Sequence, residues 1–136
     1  FVKEIQDFYD TNKNTPGLEK EFRNLGRALE AYGEILQTLA EWKSSNPSLI
    51  PTYSRRVLTA TSQLHAGHLL LDQALIAKKK MNELGAEHYD YNFYLGKVLS
   101  CQYYLRNVVP NVWFTQELVQ SADPTCAEAP PEIFEY

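Results

Sequence analysis

Three stretches of this chain carry side chains of the kinds that do chemistry. "HAGHLLLD" sets His65 and His68 three residues apart on one helical face, a spacing that suits two ligands of one metal ion. The nearest further donor is Asp72, four residues beyond His68, and no Glu-x-x-His pair of the carboxylate-bundle type occurs anywhere. A metal site needs more ligands in defined geometry, so the pair reads as helix-packing histidines, with Gly67 between them easing close contact. In "EHYD", His88 and Asp90 resemble an acid–base pair. Glu87 and Asp90 are equally what the positive end of a helix attracts in its first turn, and that is the reading taken. The third stretch is "YNFYLGKVLSCQYYLRNVVP", from Tyr91 to Pro110. Its aromatic residues could wall a flavin or acyl pocket. At helical spacing they point around the helix, so some belong to the core and others meet another helix, domain or subunit. Tyr89, Phe93, Tyr103, Tyr104 and Trp113 are the interface candidates.

The remaining chemistry is sparse. Gly96-Lys97 is not a phosphate loop, because helical residues precede it and the other glycines of that motif are missing. Cys101 has no neighbouring base and sits in an apolar seam, which makes it a poor nucleophile. Paired carboxylates, a Ser/His/Asp arrangement and a CxxC are absent. The expectation is that this chain carries no catalytic, cofactor-binding or metal-ligating residue of its own.

Composition narrows the class. The 136 residues suit one domain with a self-sufficient core. Apolar residues make up 44% and charged residues 22%, ordinary for a globular chain. A net charge of −4 and a pI near 5.4 argue against nucleic acid, which calls for a basic stripe. Arg55-Arg56 and Lys78-Lys79-Lys80 are the basic clusters, and both read as solvated helix faces. Apolar runs fall far below the ~20 residues of a membrane span, so no membrane partner is expected. Two cysteines make no disulfide framework, and a reducing, cytoplasmic setting is expected.

Helices must position whatever these residues do. Val2, Ile5 and Phe8 give a first helix over about Phe1–Thr11, with no N-cap before it, which suggests a fragment of a longer polypeptide. "TNKNTPG" is turn chemistry, with Thr15-Pro16 as an N-cap and first helical residue. Leu18, Phe22, Leu25, Leu29, Tyr32, Leu36 and Leu39 then form a heptad seam in a helix running to about Lys43. Ala28, Ile35 and Trp42 widen that face beyond what a two-stranded coiled coil needs. Gly26 and Gly33, seven apart, allow close approach. "KSSNPSLIP" is a loop; a third helix follows from about Pro51 or Thr52 to Leu84, striped by Val57, Thr61, Leu64, His68, Leu71 and Leu75. A fourth starts near Glu87, is kinked or interrupted at Pro110, and resumes through Trp113 and Val119. The fold expected is an all-α up-and-down bundle of about four helices over residues 1–121. Residues 122–136 form a Pro-rich tail, extended or disordered, whose three prolines exclude a helix and whose Ile133, Phe134 and Tyr136 could lie on a surface.

The segment "YNFYLGKVLSCQYYLRNVVPNV", preceded by "HAGHLLLDQALIAKKK", resembles the C-terminal extension of the acyl-CoA dehydrogenases similar to 3-methylmercaptopropionyl-CoA dehydrogenase. The packing motif of that extension maps to Tyr94, Leu95, Gly96, Lys97 and Val98, and then to Val109 and Pro110. The resemblance runs from Glu4-Ile5 to about Ser121 and leaves the tail unassigned. It implies a parent flavoprotein that uses FAD to oxidise an acyl-CoA thioester in fatty acid metabolism and passes electrons to electron-transferring flavoprotein. The glutamate base and the flavin contacts of that family have no counterpart here, since "AYGEILQ" has the wrong order. The resemblance therefore implies a non-catalytic end domain. Its partners would be the remainder of the dehydrogenase chain and the other copies of a homo-oligomer. The alternative is a free-standing helical protein–protein interaction module.

Overall fold

The computed structural model describes residues 1–135. Among them are five α-helices: α1 (Val2–Asn12), α2 (Glu19–Ser45), α3 (Leu49–Leu84), α4 (Tyr91–Asn107) and α5 (Asn111–Ser121). A short 3-10 helix (Pro131–Phe134) follows, and no strand is present among the described residues. The all-α bundle is the fold. Its four rods are α1, α2, α3 and a broken arm made of α4 and α5 in succession.

The contacts fix the directions. Tyr32 of α2 meets Thr61 of α3, whereas Trp42, further along α2, meets Tyr53, earlier in α3. Gly67 of α3 lies against Leu105 and Val109, whereas Ala77 lies beside Phe93 and Tyr94. Helices α2 and α3 are thus antiparallel, and so are α3 and the arm, as short connections require. The 36-residue α3 is the longest helix, and the α4–α5 arm runs back along it. Pro110 ends α4 by removing a backbone donor, and it opens α5 as the N-cap.

The core joins α1, α2, α3 and the arm through Ile5, Phe22, Leu25, Ile35, Leu64, Leu71, Leu105 and Val112, all fully buried. A smaller cluster of Trp42, Leu49, Tyr53 and Val119 closes one end. Two glycines permit close approach of helices around the main core. A methyl on Gly67 would sit 2.8 Å from Val109 Cγ2, and one on Gly26 would sit 2.8 Å from the Tyr9 ring. Gly33 faces open space, so the close approach expected for it is not made.

Several local expectations are corrected. The helix α2 begins at Glu19 rather than Pro16, because the Thr15 hydroxyl bonds back to the Asn12 carbonyl and ends α1 instead of capping α2. Leu36 is 40% exposed and not part of the seam. The neighbouring helices pack on α2 along Ala28, Tyr32, Ile35 and Trp42, and Leu36 is left at the edge of that face. Helix α3 starts at Leu49, before Pro51, since proline is tolerated in a first turn. Helix α4 starts at Tyr91, because the Asp90 N–H bonds to His88 Nδ1 in the preceding turn. The tail is not free of helix either. Pro131 opens a 3-10 turn at residues 131–134, a register in which its missing N–H costs nothing. The tail is rooted on the bundle where the Asp123 N–H bonds to the Tyr53 hydroxyl (3.0 Å). Tyr136 lies outside the described residues.

Candidate interaction surface

The family-motif residues fall on both sides of α4. Val98 and Val109 are buried; Tyr94, Leu95 and Pro110 are half-buried; Gly96 and Lys97 are exposed. The Lys97 ammonium lies 5.4 Å from the centre of the Phe93 ring. Of the interface candidates, Tyr89, Phe93 and Tyr103 stand in solvent, with Tyr89 stacked on His88. Tyr104 and Trp113 pack against the main core. Burial raises the Tyr104 hydroxyl above its ordinary pKa, and the Arg27 guanidinium covers the Trp113 ring at 4.3 Å.

His68 is buried against Phe8, ring to ring at 4.6 Å, and His65 touches Phe1. Loss of hydration pushes the His68 imidazole below its ordinary 6.5; Glu4 and Asp72 pull the other way, and His65 adds to the depression. No cluster of three or more His, Cys, Asp or Glu residues is placed for a metal ion among the described residues. Cys101 is fully buried, and desolvation, helped by the nearby Glu21 charge, pushes its thiol up to about 12.

One polar contact escaped sequence reasoning. Glu21, only 1% exposed, accepts a 2.6 Å hydrogen bond from Arg106 Nε, and the Asn24 amide donates to the Leu105 carbonyl beside it. The pair ties α2 to α4 across 85 residues of sequence. Glu21 lies three residues before Asn24 on the core-facing side of α2, the one acidic residue in that flank. That placement is the signal the sequence offered.

The outer surface is where the apolar side chains accumulate. On α3, Leu58, Leu69 and Ile76 are 67%, 46% and 56% exposed. Spacings of eleven and seven put them on one line of the helix, opposite its buried side. Two open grooves run between α3 and the α4–α5 arm beside that line. In one, Gln73, Ile76 and Ala77 face Phe93, Tyr94 and Lys97 of α4. In the other, Arg55, Arg56 and Gln63 face Asn111 and Phe114 of α5 across about 510 Å³. Neither groove is a closed pocket. Among the described residues no helix is long and apolar enough to cross a membrane.

Two comparisons identify the kind of chain this is. A family model described as "Acetyl-CoA dehydrogenase C-terminal like" matches residues 1–130, beyond α5 and into the tail. Two butyryl-CoA dehydrogenases of Syntrophomonas wolfei subsp. wolfei are similar, one 42% identical over 134 residues and the other 37% identical over 132. The matches cover 98% and 97% of this chain but only 22% of either relative, so the chain spans about a fifth of their length. With its helical bundle, its exposed outer faces and this match over nearly all its residues, the chain belongs to the acetyl-CoA dehydrogenase C-terminal-like family of acyl-CoA dehydrogenase domains.

Proposed function

We propose that this bundle is a non-catalytic C-terminal domain of an FAD-dependent acyl-CoA dehydrogenase, and that it packs against the catalytic body or a partner subunit. The observation that carries the reading is the row of large apolar side chains held in solvent along α3 and its flanks. A domain with a complete core of its own has no internal use for them. The names of the two relatives support a parent acting on an acyl-CoA thioester. The motif of Tyr94 to Val98 with Val109 and Pro110 is the ground for reading that parent as similar to 3-methylmercaptopropionyl-CoA dehydrogenase. FAD, electron transfer to electron-transferring flavoprotein and a homo-oligomeric assembly belong to that parent. This chain contributes contact area to it. The free-standing interaction module is disfavoured by relatives that extend so far beyond the matched segment.

The test is deletion. Removing this domain from the parent dehydrogenase should lower its melting temperature or dissociate its subunits, with the flavin still reduced by acyl-CoA in the surviving fraction. Unchanged assembly, stability and substrate range after deletion would refute the reading.

A further inference from the structure

We infer that the outer face of α3, with the two grooves beside it, is the docking surface for the rest of the parent polypeptide. This rests on the packing role proposed above and names its face. Leu58, Leu69 and Ile76 form a line about 27 Å long, at 1.5 Å per helical residue, which is a span suited to an inter-domain contact. Phe93 at one end and Phe114 at the other, 62% and 55% exposed, extend it onto α4 and α5.

The polar groups say what must lie opposite. Among the described residues neither Arg55 nor Arg56 has a carboxylate within ion-pair distance, in a chain whose net charge is −4. The matching surface is therefore apolar along its middle. At the Arg55–Arg56 end it carries carboxylates. The occupant is this chain's own dehydrogenase body, because the matched segment is about a fifth of each relative and a covalently linked body is held at high effective concentration next to the bundle. A second copy of the domain, itself basic at the same end of this face, would set arginines against arginines in any pairing of like ends.

Hydroxyl-radical footprinting of the intact dehydrogenase reads side-chain exposure directly and needs no variant. Leu58, Leu69 and Ile76 should be labelled at least five-fold less than Leu99, an aliphatic residue exposed on α4. Protection should persist on dilution below the concentration at which subunits associate. Arg55→Glu with Arg56→Glu should restore labelling at Leu58 and lower the melting temperature of the whole enzyme. Labelling of Leu58 and Ile76 equal to that of Leu99 overturns the inference, and so does protection that vanishes on dilution. If deletion of the domain destabilises the enzyme while α3 stays labelled, the packing role stands and only this face is wrong.

Discussion

Arg106 is the exposed half of a contact whose other half is buried. Glu21 is covered on all sides, its Oε1 is held by Arg106 Nε, and its Oε2 has no partner. Truncating the arginine leaves a carboxylate inside the α2–α4 seam with nothing to balance it. Arg106→Ala should therefore destabilise the domain by about 3 kcal/mol, the lower end for breaking a buried pair, since Arg106 itself reaches water. Arg106→Lys should recover only part of that, because an ammonium cannot present the guanidinium Nε geometry. Urea unfolding of the three proteins checks both statements. Cys101, close to this pair, is a packing residue. A thiol held near 12 offers almost no thiolate at neutral pH.

At the scale of elements, the helices differ in how closely they approach. The α3–α4 contact depends on Gly67, where an added methyl would meet Val109 Cγ2 at 2.8 Å and Leu105 Cδ1 at 3.6 Å. Val109 is fully buried and cannot swing away. Gly67→Ala should cost about 1–2 kcal/mol, an overpacking penalty that exceeds the gain in helix propensity. Gly33 on α2 has nothing within 4 Å. Gly33→Ala should accordingly stabilise by about 0.5–1 kcal/mol, the propensity gain alone. Denaturation of the two variants side by side should show opposite signs. Equal signs would mean that the seam yields more than its packing implies. The seven-residue spacing that relates Gly26 to Gly33 made them look equivalent. What separates them is that α1 delivers the Tyr9 ring to one and no helix reaches the other.

For the whole molecule, stability carries a pH dependence set by His68 between α1 and α3. Its pKa in the fold lies below 6.5, so the unfolded chain takes up the proton first. The contribution is complete above about 6.5 and is lost as the pH falls from there toward the folded value. Glu4, Asp72 and His65 are the charged neighbours that modulate it. The urea midpoint should fall on acidification from pH 7 to 5, and His68→Gln should flatten that fall. A midpoint that drops equally in both proteins would assign the loss to carboxylates instead.

Much of this was legible without coordinates, because helical periodicity and breakers are local properties. The bundle class, the stop at Gly85, the break at Pro110 and the burial of Ile35, Leu64, Leu71 and Cys101 all follow from residues within a few turns of one another. Local pattern could not say which flank of a helix finds a neighbour. That choice depends on where a distant helix lies. It turned Leu36 outward and Trp113 under Arg27, paired Glu21 with Arg106, and left one whole side of α3 uncovered. Burial is a property of the assembled surfaces, so the face proposed to meet the rest of the enzyme became visible only once the other helices had taken their places.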